Sequence, residues 1–524
     1  MTKSSRSSIT CIFHLPKNST RQEQIRRGIW EPLQTGSSYT IQWVAIGEKE
    51  SGPNWFEGIW TDPMNENDTE HSSVLKIAFK RSKSSLILYI DNSEDEVFLK
   101  GSCANLFLIA AERYPDSGMF FSDYDLLTEN KKYSIRLLKH HSGRVRNDQD
   151  HGKVFLFRKE ILHRSIESDN TLKYHLLYDL RLKISEISTI THISNKEKGS
   201  LYEVASVKQE ANVFDYLMEE KSSQIEAESV FTEHLKRTGA FLSPGQFIIS
   251  RPQPRHDPTL KASVIIPVND RPEFIGTALQ SCLNQSVQNI EVIVVVNGGN
   301  EDPTILEVQR YQKGGDRYIN NQIDVRLEVV DINNIGFCLN NGVSIAKGEF
   351  YVQLDSDDRL KQNAIERILE VFESDPEIGI VIGSYDVWEL KKDGTLIRKK
   401  EIPTVTHDEW TRKNGRNNLL RVGGAGAPRS IPIQLIKDIG LFGMNEEPYS
   451  RNYAEDYELV TRISEHYQVG RIFEPIYDVI RHPGGTDHSI DQNTIDRNDE
   501  TKDWIRKIAL KRRIKLNRSQ NEPI

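Results

Sequence analysis

The stretch Ala262-Ser-Val-Ile-Ile-Pro-Val268 is an apolar run of the kind that forms a strand buried on both faces of a sheet. Residues 272–285 follow with apolar positions at helical spacing, and Ile290–Val296 is a second apolar strand, which ends at Asn297-Gly-Gly299. Strand, helix and strand in this order predict a βαβ unit. The alternation continues beyond it and predicts an α/β fold with an open, mostly parallel sheet, whose ligands bind at the carboxyl ends of the strands.

A further apolar strand, Phe350-Tyr-Val-Gln-Leu354, runs directly into the acidic residues Asp355-Ser-Asp-Asp358. Carboxylates this close repel one another unless a cation or hydrogen-bond donors compensate them. Mg²⁺ and Mn²⁺ suit such a place, since they take one or two protein carboxylates and complete their shell with water and phosphate. An isolated acidic pair is more often a solvated turn. Here the cluster follows a strand at the ligand-binding edge, which favours a metal site.

The first half of the chain repeats the second in the same order. Leu86-Ile-Leu-Tyr-Ile-Asp91 resembles 350–355, and the nine residues from Tyr178 to Glu186 match those from Tyr457 to Glu465 without a gap. We therefore expect two tandem α/β domains joined by a helical linker. The predicted parts are a first domain over 1–205, a helical and proline-containing linker over 206–260, a second domain over 261–490 and a basic C-terminal helix or tail over 491–524.

The two copies differ at their acidic positions. Opposite Asp355-Ser-Asp-Asp358, the first copy has Asp91-Asn-Ser-Glu-Asp95, with altered spacing. Opposite Glu455-Asp456 it has Leu176-Leu177, which cannot accept a proton. The sequence thus predicts that the first domain keeps the fold but is not catalytic.

Several short motifs of the second domain together carry a family resemblance. They are Ile265-Ile-Pro-Val-Asn269, Val295-Val-Asn-Gly-Gly-Asn-Glu-Asp302, Asn334-Ile-Gly336, Ala346-Lys-Gly-Glu349, Leu354-Asp-Ser-Asp-Asp358, Ala454-Glu-Asp-Tyr-Glu-Leu459 and Arg481-His-Pro-Gly-Gly485. In this order they resemble an inverting glycosyltransferase of family 2. The resemblance implies the Rossmann-like GT-A fold, for the degenerate first copy as well, and transfer of a sugar from a nucleotide-diphosphate donor to a hydroxyl of a glycan or glycoconjugate acceptor.

The resemblance also implies roles for individual residues. Asp355, Asp357 and His482 are the expected metal ligands, for Mn²⁺ or Mg²⁺, and Asp358 is expected to hold the acidic loop by hydrogen bonding. Inverting transfer needs a base for the acceptor hydroxyl, and Asp456 is the candidate because it opens a predicted helix whose dipole keeps a carboxylate ionised. A simple helix N-cap is the alternative for this aspartate. Its neighbour Glu455 is expected to orient the acceptor.

Donor binding is expected at the strand ends, with a UDP-sugar as the expected donor. The residues concerned are Pro267, Asn269, Asp270, Asn297, Gly298, Asn334 and Asp355. Asn297 stands where many relatives have an acidic residue for the base. Leu339 stands where many have an arginine, so Arg359 or Arg429 is expected to face the diphosphate instead.

Composition limits the other possibilities. The 524 residues carry a net charge of −8, so no basic field attracts nucleic acid. We find no leader and no apolar run long enough to span a membrane, which predicts a cytoplasmic protein. The tail Trp504-Ile-Arg-Lys-Ile-Ala-Leu-Lys-Arg-Arg-Ile-Lys-Leu516 is either a docked terminal helix or a peripheral contact with the inner face of the membrane.

Two other functions compete with sugar transfer. A nucleotidyltransferase that makes sugar nucleotides also uses an α/β sheet and metal carboxylates, but it calls for a glycine-rich, basic signature near the first strand. Pro267-Val-Asn-Asp-Arg-Pro272 lacks that signature. A non-catalytic glycan-binding or scaffold protein is the other alternative. It gives no reason for Glu455-Asp456 to differ from Leu176-Leu177.

Overall fold

The computed structural model describes residues 7–34, 39–61, 71–128, 131–166, 172–194, 199–205, 221–406, 414–422, 426–444, 446, 453–482 and 492–521. They divide into two compact units. The first is Met1–Asp215 with Glu219–His234, and the second is Tyr216–Met218 with Leu235–Ile524. Each unit has its own sheets and helices, so the prediction of two tandem α/β domains is confirmed.

The first unit contains a seven-stranded sheet in the order β10-β6-β9-β4-β1-β2-β3 and a four-stranded sheet in the order β5-β11-β7-β8. Their strands are β1 Ser7–His14, β2 Tyr39–Ile46, β3 Ile59–Thr61, β4 Leu86–Ile90, β5 Glu96–Leu99, β6 Ser117–Ser122, β7 Tyr124–Leu127, β8 Lys132–Ile135, β9 Val154–Arg158, β10 Thr189–Ile193 and β11 Tyr202–Ala205. In the larger sheet β9 runs antiparallel to both of its neighbours, and the other pairs are parallel.

Helices cover this sheet and close its core. They are α1 Ser19–Ile25, α2 Glu31–Gln34, α3 His71–Lys80, α4 Cys103–Arg113, α5 Lys159–Ile166 and α6 Leu176–Ile187, with a π-helical turn at Arg26–Trp30 and a 3₁₀ turn at Lys49–Ser51. A further helix, α7 Lys221–Thr238, follows in the chain. Helix α7 lies in the predicted linker, of which 206–220 fall outside the described residues. The carboxylate of Glu226 on α7 accepts hydrogen bonds from the backbone N–H groups of 173, 174 and 175 at 2.7–2.8 Å. These bonds attach α7 to the first unit.

The second unit is built on a nine-stranded sheet in the order β14-β13-β12-β15-β19-β17-β20-β16, with β18 paired to β17. Its strands are β12 Leu260–Val268, β13 Ile290–Val296, β14 Asp324–Val329, β15 Gly348–Gln353, β16 Arg359–Leu360, β17 Ile378–Leu390, β18 Leu396–Arg398, β19 Arg429–Pro432 and β20 Gln468–Arg481. Strands β14, β13, β12 and β15 are mutually parallel, as predicted, and β19 is antiparallel to both β15 and β17.

The helices of the second unit pack on both faces of its sheet. They are α8 Pro272–Leu283, α9 Thr304–Gln309, α10 Ile335–Ile345, α11 Ala364–Ser374, α12 Gly415–Asn418, α13 Ile433–Asp438, α14 Glu455–Ile463 and α15 Gln492–Asn521. Every residue of β13 is buried, which explains why its sequence is apolar without alternation. Because β12, β13 and β15 run parallel, their carboxyl ends lie at one edge of the sheet.

Helix α15 is docked on the second unit along one face. The side chains of Arg506 and Arg513 are fully buried there. Arg506 donates to the carbonyl oxygen of Leu420 at 2.9 Å, and Arg513 donates to that of Arg416 at 2.7 Å. Of the two predictions for the tail, the structure therefore shows a terminal helix docked on its own unit along this face. None of the helices in the described part of the chain is both long enough and apolar enough to cross a membrane.

The strand order of the larger sheet is the same in the two units. β3-β2-β1-β4-β9-β6-β10 corresponds to β14-β13-β12-β15-β19-β17-β20, with the same parallel and antiparallel pairs. Corresponding glycines also meet corresponding side chains. A Cβ added at Gly118 would lie 3.1 Å from Ile184 on α6, and one at Gly379 would lie 3.1 Å from Ile463 on α14. The repeat read from the sequence is therefore a repeat of the fold.

Candidate functional site

The acidic loop lies directly after β15, at the carboxyl edge of the sheet. Its last carboxylate, Asp358, is buried and accepts a hydrogen bond from the backbone N–H of Ile480 on β20 at 2.8 Å. Burial, with the charges of Asp355 and Asp357 beside it, raises the pKa of Asp358 well above its usual range. As predicted, Asp358 ties the acidic loop to a neighbouring strand.

Asp357 and His482 face each other across this edge. The Nε2 atom of His482 lies 3.0 Å from Oδ2 of Asp357, and the histidine side chain is only 3% exposed. The ring of Phe274 on α8 packs on the imidazole with 4.1 Å between the ring centroids. His482, which directly follows β20, is therefore held beside the acidic loop by contacts on two sides.

Asp355, the first carboxylate of the loop, is fixed by two polar groups. Its backbone N–H donates to the hydroxyl of Tyr477 at 3.1 Å, and its Oδ1 accepts from the amide of Gln353 at 3.3 Å. Burial raises the pKa of Asp355 to about 6, because the favourable charge of Arg429 only partly offsets the desolvation. A cation at this place would keep Asp355 ionised.

Glu455 and Asp456 begin helix α14. The residue at the N-cap is Ala454, in the left-handed region with φ 68°, a conformation that costs a non-glycine residue about 1–3 kcal/mol and is common at functional sites. The alternative that Asp456 is a simple N-cap is therefore wrong. Oδ2 of Asp456 pairs with Arg429 at 2.8 Å, and Oδ1 accepts from the N–H of Tyr457 at 2.6 Å.

Glu455 lies among other carboxylates, and burial together with the charge of Asp456 raises its pKa to about 8. Burial thus favours the protonated form of Glu455, which can donate a hydrogen bond. Asp355 acts electrostatically on Glu455, and Asp456 on Asp355. The acidic loop and the start of α14 thus form one site.

Arg429, on the antiparallel strand β19, is the cation of this site. Besides Asp456, it donates to the side-chain oxygen of Gln353 at 3.3 Å and to the carbonyl oxygen of Gly426. Burial acts to lower the pKa of Arg429, but Asp456 and Asp355 outweigh it and raise that pKa. The sequence predicted Arg429 or Arg359 as a partner of a diphosphate; the structure instead pairs Arg429 with Asp456. Arg359 lies on β16, where its Nε atom has no hydrogen-bond partner.

The loops after β12 and β13 are joined by Asp302, which the sequence analysis did not single out. Its carboxylate accepts hydrogen bonds from the backbone N–H groups of Asp270 and Thr304, both at 2.9 Å. A Cβ added at Gly298 would lie 2.3 Å from it, so only glycine fits there. Asp270 itself has φ 48°, and Asn269 beside it is half-buried. An aspartate three residues after the double glycine Gly298-Gly299 was the sequence signal for this link.

The remaining predicted donor residues lie on the same edge but differ in what they contact. Asn297, at the end of β13, is 6% exposed, and its Oδ1 has no hydrogen-bond partner. Asn334 caps α10 by accepting from the N–H of Phe337 at 2.9 Å. Pro267 is buried within β12. An unpaired buried oxygen is costly, so Asn297 is the best placed of the three to bind a ligand.

The corresponding edge of the first unit is chemically different. By strand pairing, Tyr89 and Phe155 stand where the second unit has Gln353 and Arg429. The gapless match of α6 to α14 places Leu177 where the second unit has Asp456. All three belong to one apolar cluster, and the rings of Tyr89 and Phe155 are stacked with 6.3 Å between centroids. The Asp95 carboxylate is neutralised by Lys153 at 2.8 Å.

We expect Glu455→Gln to change how stability depends on pH. Since the folded chain holds the Glu455 proton up to a pKa of about 8, while the unfolded chain releases it near 4.5, the native state loses stability as pH rises between these values. The variant lacks this loss. Its Tm relative to the natural chain should therefore increase between about pH 5 and pH 8, measured by thermal melts with EDTA present. A Tm difference that is constant with pH would contradict the raised pKa.

Part of the second unit is similar in sequence to known proteins. Residues 263–426 match the family model described as Glycosyl transferase family 2. A protein of Haemophilus influenzae named "Uncharacterized glycosyltransferase" is 29% identical over 207 residues, covering 38% of this chain and 59% of the relative. The glycosyltransferase GlyG of Streptococcus pneumoniae is 32% identical over 128 residues, covering 24% and 38%. The aligned part is thus less than two thirds of either relative.

Among solved structures, S. aureus TarS 1-349 in complex with UDP-GlcNAc is similar to this chain. The sequence identity is 18% and the TM-score 0.35, over 44% of this chain and 62% of the TarS chain. The predicted resemblance to family 2 is confirmed by the family model, which covers the motifs from β12 to the loop before β19.

Proposed function

The second unit carries a domain of glycosyl transferase family 2, and from this premise we propose that it transfers a sugar from a nucleotide-diphosphate donor to a hydroxyl of a glycan or glycoconjugate acceptor, with inversion. One observation carries the proposal. At the carboxyl edge of one sheet, a carboxylate–imidazole pair lies in the same electrostatic cluster as a carboxylate at the start of α14. Such a site supplies both a place for a metal–diphosphate and a base.

A divalent metal fits the residues that are present. Two ligand atoms at neighbouring corners of an octahedron, each about 2.1 Å from the ion, lie about 3.0 Å apart. Oδ2 of Asp357 and Nε2 of His482 are 3.0 Å apart. No group of three or more His, Cys, Asp and Glu side chains in the described ranges is arranged to hold a metal, so two protein ligands, with Asp355 nearby, would share Mn²⁺ or Mg²⁺ with the diphosphate. When bound, the ion stabilises the negative charge of the departing nucleoside diphosphate.

Asp456 is proposed as the base. It takes the proton of the acceptor hydroxyl while that oxygen bonds to the anomeric carbon from the side opposite the diphosphate, and the glycosidic bond to the diphosphate breaks. It lies in the first turn of α14, where its Oδ2 pairs with Arg429 at 2.8 Å. Glu455, whose protonated form is favoured by burial, is suited to donate a hydrogen bond to another acceptor hydroxyl.

The chemistry of Asn297 supports a restricted set of donors. Its free Oδ1 is an acceptor at the end of β13, and it matches a base with a ring N–H. Uracil, thymine and guanine have such a group, whereas cytosine does not. The expected UDP-sugar belongs to this set, together with dTDP- and GDP-sugars. Asn269, Asp270 and Gly298 lie on the same loops and are further proposed donor contacts.

For the first unit, we propose a copy of the fold without catalytic activity. The support is the apolar cluster in place of Gln353, Arg429 and Asp456, and the ion pair of Asp95 with Lys153. The proposed contact of the C-terminal helix with an anionic membrane rests on Lys511, Lys515 and Arg518, which are exposed on α15.

Thermal-shift measurements with UDP-, dTDP-, GDP- and CMP-sugars, each with and without Mn²⁺, test this function. The expected result is a higher Tm with a UDP-sugar that depends on Mn²⁺, followed by release of UDP when a saccharide acceptor is present. A CMP-sugar serves as the negative control. Stabilisation by a nucleoside triphosphate plus sugar phosphate, with pyrophosphate released, would instead show a nucleotidyltransferase. Binding of none of the donors would count against catalysis.

A further inference from the structure

We infer that Arg429 is a positioning residue for the transfer reaction: it orients the base Asp456 and couples it to the donor side of the site through Gln353. The inference rests on the proposed function, because it assumes that Asp456 is the base. It differs from the expectation that Arg429 faces the diphosphate. The argument comes from what this side chain contacts and from what replaces it in the first unit.

The contacts of Arg429 leave it one geometry. Its side chain is 13% exposed, and its three guanidinium nitrogens bond to three different oxygens: Asp456 Oδ2, Gln353 Oε1 and the carbonyl of Gly426. A planar guanidinium with bonds in several directions has little freedom to rotate. Asp456 is therefore held by Arg429 on one oxygen and by the N–H of Tyr457 on the other.

Gln353 continues this connection to the metal side. It is 5% exposed, accepts from Arg429 and from the hydroxyl of Tyr351, and donates to Asp355. The unbroken series Asp456, Arg429, Gln353 and Asp355 thus joins the proposed base to the acidic loop. Because each side chain in the series is held by its neighbours, the base has a fixed place relative to the donor.

The first unit supplies an independent observation. There the positions of Gln353, Arg429 and Asp456 hold Tyr89, Phe155 and Leu177, all apolar or aromatic and packed in one cluster. The glycine contact between the sheet and the helix is kept in both copies. The fold therefore does not need the arginine, and the three polar residues are absent together. Joint absence is expected if the three polar residues act together in the reaction.

The test compares Arg429→Gln, Arg429→Lys, Asp456→Asn and the double variant Arg429→Gln/Asp456→Asn in the full chain. We expect Arg429→Gln to lower kcat by about 10- to 100-fold, as small misplacements of catalytic groups do, with the Kd for UDP and Mn²⁺ within about threefold of that of the natural chain. Lysine keeps the charge, so Arg429→Lys should recover most of kcat. In the Asp456→Asn background, Arg429→Gln should cause no further loss.

Three results would overturn the positioning role of Arg429. A tenfold weaker Kd for UDP in Arg429→Gln, with additive effects in the double variant, would show a donor-binding arginine and overturn the inference. Should Arg429→Gln not fold, Arg429→Lys decides, since a kcat as low as that of Asp456→Asn would also overturn it. Arg255→Gln is the matched control, because it breaks an exposed Arg–Asp pair of the same unit. An active Arg429→Gln beside an inactive Asp456→Asn would reject only the role of Arg429, whereas an inactive natural chain would reject the proposed function.

Discussion

Asp456→Asn is expected to lower kcat by about 10²- to 10⁴-fold, the usual contribution of a general base. The amide has nearly the same size and still bonds to Tyr457 or Arg429, but it cannot take the proton of the acceptor hydroxyl. Donor binding depends on other strand ends, so the Kd for UDP and Mn²⁺ should stay unchanged. The measurement is single-turnover release of UDP with the acceptor present, together with calorimetry for the donor.

A control separates loss of the base from loss of a negative charge. Asp316→Asn removes an exposed aspartate whose carboxylate bonds to Arg310, and it should leave kcat as it was. If Asp456→Asn retains the turnover of the natural chain, another residue is the base. If it loses UDP binding as well, the aspartate acts on the donor instead.

Removing either proposed metal ligand is the second change with a large expected effect. Asp357→Ala or His482→Ala leaves one protein ligand where the structure has two atoms 3.0 Å apart. Since a metal contributes several kcal/mol to stabilising a leaving diphosphate, we expect turnover to fall by about 10²- to 10³-fold at limiting Mn²⁺. EDTA should produce a comparable loss in the natural chain, and added Mn²⁺ should reverse it.

A readout without turnover is available for the same variants. The Mn²⁺ bound per chain can be followed by electron paramagnetic resonance, in which free Mn²⁺ gives the stronger signal. Both variants should bind Mn²⁺ more weakly than the natural chain does in the presence of UDP. Asp91→Asn changes the aspartate that follows β4, the strand of the first unit that corresponds to β15, and this variant should bind Mn²⁺ normally. Equal Mn²⁺ affinity in all of these chains would place the metal elsewhere.

Much of the second unit could be predicted because its strands are apolar runs that end in distinctive polar residues. The predicted strand Ile290–Val296 has the observed bounds, and the acidic loop lies at the predicted edge. Strand β19 was missed, since Arg429-Ser-Ile-Pro432 is short and has no alternating pattern. Its place between β15 and β17 depends on tertiary pairing, which a local pattern does not contain.

Contacts between side chains of the site also could not be predicted from local sequence patterns. Asp357 and His482 are 125 residues apart, and only the family resemblance brought them together before the structure was known. The pairing of Arg429 with Asp456 had no signal in the motifs of the second domain alone. Aligning the two copies through β19 and β9 places Phe155 opposite Arg429, and this comparison required the sheet.

The central claim is that the chain has two copies of one fold and a single working site, in the second. Calorimetric titration of the full chain with UDP in the presence of Mn²⁺ tests it most directly. We predict one UDP per chain for the natural sequence and for Asp91→Asn, and loss of that binding in Asp357→Ala. Two UDP per chain, or loss of binding in Asp91→Asn, would contradict the claim.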